Sequence, residues 1–179
     1  MRVSEKITVK SGNTDLQKDD GSEIARLIKK SLDEKRKAEI KRGVTYNSKL
    51  FRAVVYDDAY KVDVNDAPSI CKSLNYGKPA NIYDLAHYQL LLPYLRLLIA
   101  DGWTKINLWT GMGYKNNQLL LSSGRPITIA TEVWRPGNWR SHSAWTIVLV
   151  DVQEDSENKD QGIYNTIPLA SCYGVICEI

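Results

Sequence analysis

The order of helical and strand-like segments along the 179-residue chain predicts an α+β fold. Capping residues and apolar residues at helical spacing predict two helices between residues 66 and 102. Strand-like segments separated by Gly, Pro, Asn and Ser follow them, from residue 103 to residue 179. Helices and strands that are segregated along the chain, rather than alternating, are typical of α+β domains.

Residues 1–49 are predicted to form an N-terminal strand and helix extension or connector, and residues 50–179 the main domain. The extension carries 13 Lys and Arg against 8 Asp and Glu, whereas the main domain carries 11 against 13. The basic residues of the extension are interleaved with acidic ones, and no nucleic-acid-binding motif accompanies them. This pattern predicts a solvated helix face and no nucleic-acid partner.

Local signals place one helix in the extension and two in the main domain. Residues 3–10 alternate as in a strand, and Glu23 stands three residues after Asp20, which is capping-box spacing. Apolar residues then recur at helical spacing, and the helix is expected to end at Lys41-Arg42-Gly43.

The two helices of the main domain are predicted from caps and glycines. Asp66 begins a short helix that Gly77 ends. Asp84 opens a longer helix that Gly102 closes, with a bend expected at Pro93. The predicted strands are 50–56, 60–64, 103–111, 117–123, 127–134, 143–151 and 173–179.

The three cysteines and a Trp-Thr-Gly segment follow a recognisable order. Cys71 lies in the first helix of the main domain, "NLWTGMG" occupies residues 107–113, and Cys177-Glu178 closes the last strand. This ordered set, over residues 50–179, resembles the C-type lectin-like fold, which has two helices and a mostly antiparallel sheet. The resemblance implies a Cys71–Cys177 disulfide. From composition alone, three reduced thiols are equally compatible with the sequence, and Cys172 is either the alternative partner of Cys71 or a buried free thiol.

The sequence lacks the residues that bind calcium in sugar-binding members of this family. Those members carry Glu-Pro-Asn or Gln-Pro-Asp in a long loop and Trp-Asn-Asp on a neighbouring strand, and neither kind of triplet occurs here. The acidic loop at 153–162 does not have EF-hand spacing. We therefore expect no metal site and no cofactor.

The candidate ligand surface is the segment 132–145, which holds three of the five tryptophans. Trp and Arg are enriched in binding hot spots, and the central Pro-Gly-Asn predicts an exposed turn. The candidate ligand-binding residues are Trp134, Arg135, Asn138, Trp139, Arg140 and His142. The alternative is that these tryptophans close a core, as we expect for Trp145. A second candidate loop is 111–118.

No signature of catalysis is present. His87 and His142 are the two histidines, and neither forms a local Cys–His motif with a cysteine. His87, at a helical position, is expected to be a packed or surface side chain. The longest apolar stretch, residues 90–100, is too short to span a bilayer and is interrupted by Pro93 and Arg96, so no direct membrane insertion is expected.

The chain also resembles the C-terminal tip domain of bacterial adhesins of the intimin and invasin type. That resemblance implies a calcium-independent adhesion module on the bacterial outer-membrane surface, part of a larger exported protein, which recognises a host cell-surface protein or glycan. The alternative is a phage- or secretion-associated ligand-binding module with reduced cysteines inside the cell.

Overall fold

The computed structural model describes residues 21–57, 62–137 and 143–179. The chain divides into two units, one of which ends at Glu34 while the other runs from Lys35 to Ile179. The strand predicted at 3–10 lies outside the described residues. The division predicted between residues 49 and 50 stays a prediction.

The first helix, α1, spans Gly21–Arg42, and it ends where the basic residues and Gly43 predict. Asp20, the predicted cap of the helix, lies outside the described residues. Glu23 lies in its first turn and two basic residues in its last, where they complement the helix dipole. Gly43 follows with a φ of 72°, and its N–H donates to the Glu39 carbonyl at 3.2 Å. A residue in the left-handed region is a common helix end, and glycine adopts it without strain.

The two helices of the main domain are α2, Asp66–Ser73, and α3, Leu85–Arg96. The Asp84 carboxylate caps α3 by accepting the His87 N–H at 2.8 Å. The helix continues through Pro93 but ends six residues before the predicted Gly102. Residues 97–99 bond to carbonyls three residues back, and Arg36 donates to two carbonyls of this segment. These tighter turns explain why apolar periodicity alone overestimated the length of α3.

The described residues form nine strands of one mixed, mostly antiparallel sheet, and with the helices they confirm the predicted α+β class. The strands are β1 Val44–Tyr46, β2 Lys49–Val55, β3 Lys78–Pro79, β4 Lys105–Lys115, β5 Gln118–Leu120, β6 Pro126–Ile127, β7 Ile147–Gln153, β8 Gly162–Thr166 and β9 Gly174–Glu178. The main order is β1-β2-β9-β4-β5-β6, while β7 joins β4 to β8 and β3 pairs with β9. Among the described pairs of strands, only β4 and β9 run parallel.

Two strand predictions are wrong. The segment 127–134 has only β6 at its start and a 3₁₀ turn at Thr131–Val133, because Val133 turns into the core instead of continuing an edge. In the described part of 60–64, Val62 makes an isolated bridge to Cys172 and no strand forms. Strand β8 was not predicted, since its five residues follow a long acidic loop.

The sheet is covered on both faces, which accounts for the continuous burial of β7 and β9. On β7, Val148 and Val150 pack into the cluster that includes α3, whereas Leu149 packs with α2 on the other face. Alternate residues of a strand point to opposite faces, so both sets are apolar. Trp109 is fully buried on the α2 face, and its indole N–H donates to the Val62 carbonyl at 2.9 Å.

A disulfide joins Cys71 of α2 to Cys177 of β9, with the two Cα atoms 5.7 Å apart. The pairing implied by the family resemblance is therefore confirmed. Cys172 is a buried free thiol, and burial raises its pKa to about 12. Among the described residues, no helix combines the length and the apolar character needed to cross a bilayer.

Candidate ligand-binding site

The structure describes two of the six candidate ligand-binding residues. Trp134 and Arg135 follow the 3₁₀ turn, whereas Asn138, Trp139, Arg140 and His142 lie outside the described residues. Trp145, which we expected to point into the core, is half-buried. The other four candidates stay predictions.

Trp134 and Arg135 line a groove of about 720 Å³. Two residues of α3, Tyr88 and Leu92, form one part of its wall, and residues from the segments 131–137 and 156–161 form the rest. We call this cavity the α3 groove. Its volume lies within the range of ligand-binding clefts, which is roughly 300–1,000 Å³.

The segment that carries Trp134 is held against β8. Trp134 forms a parallel bridge with Ile163, and the Arg135 N–H donates to the Ile163 carbonyl at 2.9 Å. This contact requires glycine at position 162, because a Cβ there would come within 2.5 Å of the Arg135 nitrogen. The Trp134 ring meets Tyr114 edge-on, with centroids 5.8 Å apart. Trp134 therefore has a defined position between the core and the groove.

Arg135 combines a groove position with an internal ion pair. Its Nη1 lies 2.9 Å from Oδ2 of Asp151, and the two side chains are 24% and 3% exposed. The guanidinium also lies over the Tyr164 ring, 5.9 Å from the centroid. Burial raises the pKa of the Asp151 carboxyl, although the positive charges of Lys105 and Arg135 oppose the rise. A contribution of Arg135 to ligand binding stays a prediction, but its structural partner is evident.

The acidic loop forms the opposite wall of the groove. Arg96 donates to the Gln153 carbonyl at 2.9 Å and to Oε1 of Gln161 at 3.0 Å, and Gln161 Nε2 donates to the Ser156 carbonyl at 3.0 Å. These bonds fix the loop ends and leave Glu157 and Lys159 exposed along the groove. The sequence predicted a solvated loop here, and no motif marks its contribution to the groove.

No described group of three or more His, Cys, Asp and Glu side chains is arranged to hold a metal ion. The side chains that line the α3 groove provide aromatic faces, carboxylates, an ammonium group and amides. Such a set can bind a polar ligand by hydrogen bonds and ring contacts.

His87 lies away from the groove, in an aromatic cluster at the start of α3. It is fully buried, stacks on Tyr46 at 4.6 Å between centroids, and contacts Phe51 at 4.3 Å. Its Nδ1 accepts the Tyr83 N–H at 3.4 Å, while Nε2 has no hydrogen-bond partner among the residues that the structure describes. Burial lowers its pKa from 6.5 to about 4, although the charge of Asp84 opposes this. His87 is thus a packed, neutral side chain.

Acidification is expected to destabilise the protein through His87. The unfolded chain binds a proton at His87 near the ordinary pKa, whereas the folded chain binds it only near pH 4. Stability is therefore complete above about pH 6.5 and falls as the pH decreases towards 4, by about 3 kcal/mol in total. Urea unfolding at a series of pH values measures this loss.

The matched control for the acid effect is His87→Gln, which keeps a polar side chain but cannot titrate. Its free energy of unfolding is expected to fall less than that of the unmodified protein across the same pH window. If the variant loses as much stability on acidification as the unmodified protein does, another group is responsible.

The helices, the sheet and the disulfide together define a C-type lectin-like fold. A scan against protein-family models finds no match, and a search of curated proteins finds none either. Solved structures are similar in fold. Human lithostathine is 18% identical, with 78% of this chain and 97% of that chain covered and a TM-score of 0.55.

Two other solved structures show the same likeness. The C-type lectin domain of murine dendritic cell inhibitory receptor 2, in complex with an N-glycan, is 12% identical, with 78% and 96% covered and a TM-score of 0.54. A calcium-independent type II antifreeze protein is 14% identical, with 77% and 91% covered and a TM-score of 0.51. At these identities the likeness establishes the fold.

Proposed function

We propose that this protein is a calcium-independent glycan-binding module that holds its ligand in the α3 groove and performs no catalysis. The observation that carries the proposal is the groove itself, which is about 720 Å³ in volume and includes Trp134 on one wall and exposed polar side chains on the other. An indole face packs well against the C–H face of a sugar, and amide, carboxylate and ammonium groups bond its hydroxyls.

The solved neighbours support a glycan as the ligand class. They include a C-type lectin domain in complex with an N-glycan and another in the presence of a GlcNAc2Man3 oligosaccharide. The cavity shape favours the same class, because a concave groove of this volume suits an oligosaccharide better than a flat protein surface. A host cell-surface protein is the other ligand that the adhesin resemblance implies.

Calcium independence is supported by the sequence. The triplets that supply calcium ligands in sugar-binding relatives are missing, and two arginines flank the Pro-Gly-Asn turn at 136–138. The proposed site therefore relies on direct hydrogen bonds and ring contacts.

The role of an adhesin tip on a bacterial surface rests on the sequence resemblance. The Cys71–Cys177 disulfide supports the extracellular part of that proposal, because disulfides persist in oxidising compartments. The candidate residues Asn138, Trp139, Arg140 and His142 directly follow the groove segment in sequence and are proposed to extend its ligand surface.

Glycan-array binding in the presence of calcium and of EDTA tests the proposal, and binding is expected to be equal in both. Glu157→Gln and Lys159→Met, two exposed groove positions, are each expected to weaken binding of the selected glycan by roughly tenfold, because each removes a charge-assisted hydrogen bond. Isothermal titration calorimetry measures the change.

The controls are Glu154→Gln, in the same loop, and Lys115→Met, at the end of β4; neither position lines the groove. Both controls should bind as the unmodified protein does. Loss of binding in EDTA would overturn calcium independence. Equal effects of groove and control variants would place the ligand elsewhere.

A further inference from the structure

The α3 groove has a polar group at its base that the described part of the protein does not use. Tyr88 of α3 lines the groove, yet only 4% of the residue is exposed. Its ring packs into the core cluster that includes α3. A polar atom on a side chain this deeply buried is ordinarily bonded within the protein, so an unbonded Tyr88 hydroxyl requires an explanation.

The Tyr88 hydroxyl has no hydrogen-bond partner among the described residues. Burial raises its pKa to about 12, so the group keeps its proton and can donate at neutral pH. The fully buried polar atoms that lack a partner in the described chain include Nε2 of His87 and Oδ1 of Asp151, but not the oxygen of Tyr88. That oxygen is therefore reached from solvent, and the groove is the opening that Tyr88 lines.

Two charged groups place the hydroxyl between the walls of the groove. The charges of Arg96 and Asp151 both act on it. Arg96 donates to Gln161 at 3.0 Å, and Asp151 accepts from Arg135 at 2.9 Å. Gln161 and Arg135 both line the groove. The hydroxyl thus lies at the base, where the walls meet.

An apolar side chain stands beside this donor. Leu92 follows Tyr88 by four positions on α3, so the two lie on the same face of the helix, with Cβ atoms about 5–6 Å apart. Leu92 is half-buried and also lines the groove. The next residue on that face, Arg96, is bonded to Gln153 and Gln161. The wall formed by α3 therefore offers one hydrogen-bond donor and one apolar surface.

A donor beside an apolar side chain matches an acetamido group. The carbonyl oxygen of that group accepts a hydrogen bond from a phenol, and its methyl group is apolar. A sugar hydroxyl in the same place would leave its own proton against Leu92 without an acceptor, which is unfavourable. A carboxylate would lose the hydration of its charge there, which costs more.

We propose that the α3 groove binds glycans through an N-acetylated sugar, with the acetamido oxygen on the Tyr88 hydroxyl and the acetamido methyl against Leu92. The inference rests on the proposed glycan-binding function and narrows its ligand class. Trp134 and the 156–161 loop, which line the same groove, then contact the sugar ring.

The methyl glycosides of N-acetylglucosamine and glucose, which differ at one carbon, test the inference. NMR titration of the isotope-labelled protein is expected to shift the Leu92 methyl signals with both and to show roughly tenfold tighter binding of the N-acetyl sugar. Tyr88→Phe should weaken the N-acetyl sugar about fivefold and leave glucose nearly unchanged, because it removes only the donor. Leu92→Ala should weaken the N-acetyl sugar about fourfold, as expected for one buried methyl group.

The matched controls are Tyr114→Phe and Leu90→Ala. Tyr114 is half-buried, Leu90 is an exposed residue of α3, and neither lines the groove. Both controls are expected to keep the full preference for the N-acetyl sugar. Urea unfolding shows whether each variant is folded. If Leu92→Ala is not, Tyr88→Phe decides, since it keeps the packed ring.

A probe without a sugar separates this inference from glycan binding as such. N-methylacetamide is expected to shift the Leu92 methyl signals more than 2-butanol does, and to lose this effect in Tyr88→Phe. If neither glycoside binds but the N-methylacetamide shift is present, the glycan function is refuted and the acetamido contact stands.

Two results would overturn the inference. Equal affinity for the two glycosides, with groove signals shifted by both, would refute the acetamido contact and leave glycan binding in place. An N-methylacetamide shift that is absent at Leu92, or equally large in Tyr88→Phe, would refute the assigned position.

Discussion

Replacing both Cys71 and Cys177 by alanine is expected to lower the free energy of unfolding by about 4–5 kcal/mol. The two cysteines are 106 positions apart, and a cross-link over a loop of that length strongly restricts the unfolded chain. The same bond holds α2 against β9, so its loss also removes a constraint on the folded side. Urea unfolding under non-reducing conditions, with and without the substitutions, measures the difference.

The control for the disulfide is Cys172→Ala. Cys172 is equally buried but unpaired, and its Sγ lies 3.1 Å from the Gly174 carbonyl. Its replacement is expected to cost about 1 kcal/mol, typical of a small buried truncation. Addition of reductant should reproduce the loss of the double variant and leave that variant unchanged. A double variant no less stable than Cys172→Ala would contradict the expectation.

The second large effect is expected for Arg135→Met. Near neutral pH, this substitution should lower the free energy of unfolding by about 3–5 kcal/mol. Methionine keeps most of the apolar stem of arginine, but the buried Asp151 carboxylate then has no cation at 2.9 Å. An uncompensated buried charge is costly, and Oδ1 of Asp151 already has no hydrogen-bond partner in the described part of the chain.

The pH dependence of this variant has a defined sign. Burial holds the pKa of Asp151 above its ordinary value in the folded protein, so the ionised form is the unfavourable one there. Removing Arg135 raises that pKa further. The loss of stability should therefore shrink as the pH falls and Asp151 becomes protonated.

The double variant Arg135→Met with Asp151→Asn provides the control, because it removes both charges. It is expected to regain part of the lost stability, and the coupling between the two substitutions measures the ion pair. If Arg135→Met were as stable as the unmodified protein but failed to bind glycan, Arg135 would be a ligand residue alone.

Local signals in the sequence were sufficient to predict the three helices, although α2 and α3 end before the predicted Gly77 and Gly102. The C-terminal end of α1 and the start of α3 depend on neighbouring residues, Gly43 and the Asp84 cap, and these act within one turn. Local signals could not predict the disulfide, because three cysteines can be reduced or can pair in more than one way. Only the family resemblance selected Cys71 and Cys177. The strand predicted at 127–134 failed because Val133 packs into a core built from distant strands.

The candidate site was only partly accessible from sequence. Trp134 and Arg135 stood out by composition, and the structure places both on the wall of the α3 groove. The same groove is also lined by Tyr88, Leu92 and the 156–161 loop. These residues are distant in sequence and meet only through tertiary contacts, so no local signal identifies them. The pairing of Arg135 with Asp151 is equally non-local, because it joins a loop to the middle of β7.

The position of the disulfide determines how the unit from Lys35 to Ile179 carries a mechanical load. Strands β2 and β9 lie side by side, and Cys177 is the second residue from the end of β9 that is tied to Cys71. When the two ends of this unit are pulled apart, tension passes from β2 through α2 and across the sulfur bridge to the final residues. The polypeptide between the two cysteines, which includes the α3 groove and most of the sheet, is bypassed by the covalent path of the force while the bridge is intact.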